Sequence, residues 1–256
     1  DAKKAQLTDN TLMSEIPENT KIYRTSAWDF SELPVPFNLA GKYIRRRVLI
    51  PDGEKLWEIF SYKTAIDVIK NEKIDLIYST SQPFSTHLLA LKVKKAFPDI
   101  PWVSDFRDEW TNNAFVKAYN YRPYRVKKEK ELEREVFEMS DAIVMNTPVM
   151  RDNSVRDNPD LEYKFHVIPN GFDREDFEGI EPGKRNDKFT LTYTGLIYGN
   201  TSPETVFCAI EKLICEGLIS LSDIRLRFIG RFKVEELYKM AKAHNLEDAV
   251  QVLPYM

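Results

Sequence analysis

Short β-branched runs alternate with longer stretches of helical period along most of this chain, and that alternation limits its fold more than any other feature. Strands separated by whole helices cannot pair as hairpins; they pair in parallel through βαβ crossovers. Leu56, Ile59, Phe60, Ile66 and Ile69 follow a helical period, and Lys73 to Thr80 (KIDLIYST) then reads as a buried strand. Phe84 to Phe97 reads as a helix, Pro101 to Phe106 as a strand, and Pro123 to Met139 as a charged helix with Leu132, Val136 and Met139 inward. Asp141 to Asn146 is the next strand. Thr147 caps the helix after it, with Pro148 at the first helical position. Lys164 to Pro169 reads as one more strand.

The segment Glu178 to Asp187 (EGIEPGKRND) breaks this pattern. It is polar and carries Pro182 and Gly183 between two strand signals, which marks a linker. A second series follows: strand Lys188 to Gly195, helix Pro203 to Gly217, strand Asp223 to Gly230, helix Val234 to His244 and a last strand, VQVLP. The expectation is an α/β chain of two Rossmann-like parallel-sheet domains, residues 1–178 and 188–256 with a linker over 179–187. The second domain is expected to be incomplete and the first to lack its leading strand. A parallel sheet needs both faces covered, and the post-linker part is near the lower size limit for its own core. The chain therefore reads as a piece of a longer protein.

Charge and cysteine usage narrow the function classes. Lys and Arg total 37 against 40 Asp and Glu, a net charge of -3, which speaks against nucleic-acid binding by bulk positive charge. No apolar run approaches the ~20 residues of a membrane helix and no signal-peptide pattern is visible, so a cytoplasmic protein is expected. Cys208 and Cys215 lie seven apart in a helical stretch, roughly 10 Å at the helical rise, too far for a disulfide. His87, His166 and His244 are scattered, so the expectation is two small core cysteines and no metal.

The segment HVIPNGFDREDF, His166 to Phe177, is a strand followed by an Asn170-Gly171 turn, where Asn-Gly permits positive φ. It resembles the V-I-P-N-G-x-D-x-x-x-F signature that closes the N-terminal domain of family 4 glycosyltransferases, enzymes of the GT-B type. DLIYSTSQPFSTHLLA and PWVSDFRDEWTNN resemble a subgroup reading YSTSPPFSSH and DFRDPW. SDAIVMNTPVMRD and LTYTGLIYGNTSPETVFCAIEKL are similar to later segments in the family's order, so the likeness runs from near Trp57 onward. It implies a nucleotide-sugar as co-substrate with no cofactor, and a carbohydrate or lipid-linked acceptor on the N-terminal domain. It further implies donor binding by the C-terminal domain and retention of configuration without a metal, the leaving phosphate assisting its own displacement. The family's E-x7-E donor segment would fall after Met256, so this piece is expected to have little activity by itself.

Candidate residues follow the carboxyl ends of strands, where α/β sheets present their sites. Asp105, Arg107 and Asp108 are the catalytic candidates. Many family members have a His-Asp pair where this chain has Arg107-Asp108. Arg cannot act as a base, but it can neutralise an acidic acceptor or a diphosphate; the alternative is a surface salt-bridge cluster with Glu109. Ser81, Gln82, Ser85 and His87 are the acceptor-side candidates. Ser85, Thr86 and nearby amides either cap an anion or simply cap their helix, and His87 either packs or touches acceptor. Gly195, Gly199, Asn200, Gly230 and Arg231 are the donor-side candidates, against a plain structural turn. Lys42, Arg45, Arg46 and Arg47 read as a solvated loop, with peripheral contact to anionic lipid as the alternative. The rival functions are a sugar-nucleotide 2-epimerase of the same fold and a non-catalytic binding module.

Overall fold

The computed structural model describes residues 15–27, 37–113, 121–181, 183–197 and 201–253. The chain divides into two compact units, Asp1–Phe172 and Asp173–Met256, a division a few residues before the expected linker, whose Pro182 lies outside the described residues.

The first unit carries helices α1 (Phe37–Arg47) and α2 (Lys55–Asn71), then strand β1 (Ile77–Ser81), α3 (Ser85–Ala96), β2 (Trp102–Phe106), α4 (Pro123–Met139), β3 (Ala142–Met145), α5 (Pro148–Asp157) and β4 (Phe165–Val167). The four strands form one parallel sheet in the order β1-β2-β3-β4. Thr80 lies beside Asp105 and Asp105 beside Val144, so the strands end in register. Trp102, Phe106, Phe137, Ile143, Met145 and Phe165 fill the core. The Phe137 ring meets Phe106 and Phe165 edge-on, at 5.3 and 5.1 Å between centroids, the geometry favoured by ring quadrupoles. Thr147 Oγ1 accepts from the Met150 amide at 3.2 Å, capping α5 as its sequence predicts.

Lys42 to Arg47 is helical rather than a loop, because Leu39 to Tyr43 and Ala40 to Ile44 keep a four-residue period that outweighs the run of charge. Arg47 is exposed; the side chains of Lys42, Arg45 and Arg46 lie outside the described residues. Gly171 does not adopt positive φ, so the Asn170-Gly171 step is not the left-handed turn that the dipeptide permits. Among the described residues no helix is long and apolar enough to cross a membrane.

The second unit is a three-stranded parallel sheet, β5 (Phe189–Leu196), β6 (Ile224–Arg231) and β7 (Val250–Leu253), in that order, with helices α6 (Glu204–Cys215) and α7 (Val234–Ala243). Phe207, Ile210, Leu226, Phe228, Leu237 and Leu246 form its core. The inward stripe of α6 consists of Phe207 and Ile210, with Ile214 partly buried beside them. Cys208 and Cys215 sit one residue off that stripe and are exposed, which corrects their expected place in the core.

Candidate functional site

The carboxyl ends of the first sheet bring together side chains that are far apart in sequence. Asp105, the penultimate residue of β2, is 1% exposed. Its Oδ2 accepts from Arg107 Nε at 2.8 Å, from Thr80 Oγ1 at 3.2 Å and from the Tyr78 hydroxyl, and it pairs with Arg107 Nη2 at 2.6 Å. Its Oδ1 is buried with no hydrogen-bond partner among the described residues. Nε and Nη2 converge on that single oxygen, a charge-assisted contact that orients the guanidinium. Hydrogen bonding to Asp105 raises the Arg107 pKa further, so the cation is permanent. Partial burial, then the Asp105 carboxylate, raise the Tyr78 phenol.

The network continues across the sheet. Arg107 Nη1 donates to Asn170 Oδ1 at 3.0 Å, the Asn170 amide donates to Asn146 Oδ1 at 2.8 Å, and Asn146 Nδ2 donates to the Arg107 carbonyl at 3.3 Å. Residues following β2, β3 and β4 thus close a ring. Asn146 was not singled out from the sequence, and Asn170 was noted only for its turn; Asn146 directly follows β3 and Asn170 stands three residues beyond β4, and an amide so close to a strand end is the signal that marks them. Arg107 does not join a cluster with Glu109, whose Oε1 accepts from Asn153 Nδ2 at 2.8 Å. Asp108 is exposed and accepts from exposed Gln82 at 3.3 Å, placing an amide and a carboxylate at the rim.

The other acceptor-side candidates are withdrawn into the protein. Ser81, Ser85 and His87 are 3%, 0% and 0% exposed. The Ser85 amide donates to Asp52 Oδ2 at 2.9 Å and the Ser85 hydroxyl to Asp52 Oδ1, so the α3 N-terminus already holds a carboxylate of the chain's own. Ser79 Oγ accepts from Trp102 Nε1 and bonds His87 Nδ1, each at 2.8 Å, while the His87 ring lies 4.3 Å from Phe106. Burial lowers the His87 pKa to about 3, with the Asp105 charge partly opposing, so the imidazole is neutral. His87 is a packed core histidine; α3 turns its side chain onto the sheet.

In the second unit, Gly195 and Gly230 pair at the carboxyl ends of β5 and β6. Both have positive φ, +145° and +152°, and a Cβ at residue 230 would stand 1.8 Å from the Gly195 carbonyl oxygen. Only glycine lets these two backbones approach so closely. Arg231 ends β6 beside Leu196 and is exposed. Gly199 and Asn200 lie outside the described residues. Below this edge, a cavity of about 420 Å³ opens between the strands and α6, lined by Leu191, Tyr193, Val206, Phe207 and Phe228 among others.

The family described as Glycosyltransferase Family 4 matches residues 24–176. No curated protein matches the chain in sequence. Among solved structures, the lipopolysaccharide outer core galactosyltransferase WaaB in its apo form superposes with a TM-score of 0.52 at 10% identity, covering 78% of this chain and 49% of that one. The apo structure of OtsA gives a TM-score of 0.52 at 13% identity, covering 77% of this chain and 51% of that one. The chain thus spans about half the length of these two structures, and at such identities the likeness is one of fold.

Proposed function

Because the chain belongs to glycosyltransferase family 4 and has the GT-B type of fold, with two Rossmann-like units, we propose that the whole protein moves a sugar from a nucleotide-diphosphate donor to a carbohydrate or lipid-linked acceptor. The observation that carries this reading is the ring of Asp105, Arg107, Asn146 and Asn170 at the strand ends of the matched unit. A buried carboxylate holding a permanent cation in one plane suits recognition of an acidic group, since no side-chain entropy remains to be lost on binding. Asp108 and Gln82, at the rim, orient acceptor hydroxyls. The paired glycines and Arg231 of the second unit serve the donor diphosphate, through backbone amides and charge respectively.

Transfer proceeds with retention and without a metal at the reacting carbon. The acceptor oxygen bonds to the anomeric carbon as the bond to the phosphate oxygen breaks, and the acceptor's proton passes to that leaving phosphate. The name of WaaB supports an acceptor among surface polysaccharides. The test is transfer by the whole protein from labelled nucleotide-sugars to carbohydrate and lipid-linked acceptors. Arg107→Ala is expected to lower kcat/KM by roughly 100-fold, the scale of losing one fixed polar contact in an active site. Unchanged transfer in both Arg107→Ala and Asp108→Ala would remove this edge from the site. Turnover of donor without any acceptor would replace transfer by epimerisation.

A further inference from the structure

Side chains from two helices of the second unit converge at a place that the transfer reaction does not use. Glu204, Cys208 and Glu211 lie at i, i+4 and i+7 on α6 and so share one face. His244, directly after α7, is brought against that face, its ring tilted over buried Phe207 at 6.3 Å. His244 Nε2 stands 2.9 Å from Glu204 Oε1 and 3.9 Å from Cys208 Sγ, and the three ligand atoms lie within 4.8 Å of one another. His244 Nδ1 is 2.6 Å from Glu211 Oε2.

We propose that Glu204, Cys208 and His244 form a zinc site that staples α7 to α6. Thiolate, imidazole and carboxylate together are the donor set that zinc prefers over harder cations. Tetrahedral zinc, with bonds of about 2.0–2.3 Å, spaces its donor atoms about 3.3–3.6 Å apart, between the two separations found here. The fourth position goes to water, as Glu204 and Cys208 are exposed. Glu211 supplies the outer contact typical of histidine ligands, accepting the Nδ1 proton so that Nε2 presents its lone pair. On binding, the Cys208 thiol releases its proton to solvent as the sulfur–metal bond forms. The scattered histidines conceal this set in the sequence because its third ligand, His244, comes from beyond the end of α7.

A staple has a physical use here. The core of this unit is small and β5 is largely exposed, and such cores gain most from a metal crosslink. The inference is independent of the transferase reading, and so is its test. The reduced, chelator-treated chain is titrated with cobalt(II), then with zinc. The expected result is one cobalt per chain with a thiolate-to-cobalt charge-transfer band, displaced by zinc, and a higher unfolding temperature in zinc. Cys208→Ser abolishes the band, while Cys215→Ser leaves it intact. Glu204→Gln and Glu211→Gln, exposed and half-exposed changes that spare the core, each weaken zinc binding about tenfold. A band that survives Cys208→Ser, depends on Cys215, or never forms would overturn the site.

Discussion

At the carboxyl ends of β1 to β4 the chain places side chains: Asp105, Arg107, Asn146 and Asn170, locked to one another. At the carboxyl ends of β5 and β6 it places two glycines whose backbones touch. The two sheets beneath differ in the same sense. β2 is buried along nearly its whole length, whereas β5 exposes Phe189, Leu191, Tyr193 and Leu196. A strand enclosed on both faces fixes the rotamers of the residues at its end, so that edge can recognise by side-chain geometry. A half-covered strand offers only its backbone with comparable precision, and there glycine is the residue that matters.

The largest expected effect tests the difference in core. Phe137→Ala removes a ring enclosed between Phe106 and Phe165 and should cost about 3–5 kcal/mol in urea unfolding. Phe189→Ala, on the exposed face, should stay within about 0.5 kcal/mol. Similar costs for both would show that β5 is covered in solution. Next comes Gly230→Ala, whose added Cβ meets the Gly195 carbonyl at 1.8 Å; a loss of about 3 kcal/mol is expected, against less than about 0.5 for Gly171→Ala, where nothing lies within 4 Å.

Two smaller effects are read from pH and belong to the first unit. The folded pKa of His87 is depressed, so its share of stability is complete above its ordinary value of 6.5 and fades as the pH falls towards 3. Between pH 7 and 5 the loss should be about 2 kcal/mol, and His87→Gln should flatten that slope. Glu133 behaves oppositely: burial raises it to about 7 although Thr111 donates to it through amide and hydroxyl. Its stabilisation is complete below 4.5 and lost as the pH rises through 7, so Glu133→Gln should be more stable than the parent at pH 8 and no more stable at pH 4. Because the two slopes oppose each other in the parent, each is read from its own variant: a His87→Gln chain with the parent's pH slope, or a Glu133→Gln chain no more stable than the parent at pH 8, would contradict the corresponding assignment.

Much of the fold was legible from periodicity. The strand read over Pro101 to Phe106 appears as Trp102–Phe106, and the helix read over Pro123 to Met139 appears with those bounds. Alternation of this strength leaves the backbone few choices. The α1 helix was obscured because its charges drew the eye from its period. At the site, Asp105 and Arg107 were legible as residues just at or beyond a strand. Their pairing was not, since Asp108 and Glu109 are equally near in sequence; strand pleat turns Asp105 inward beside Thr80, and only that makes it the partner.

The sequence by itself determined the order of strands and helices, the parallel pairing and the positions of chemistry at strand ends, because those depend on local period and turn composition. Tertiary structure alone decided which polar groups meet. It buried His87 and Ser85 and gave the α3 N-terminus to Asp52; it also drew Asn170 to Arg107 and His244 to Glu204 and Cys208. Hydrogen bonds and metal ligation act over a few ångströms, and a separation along the chain says nothing about such distances until packing has fixed them.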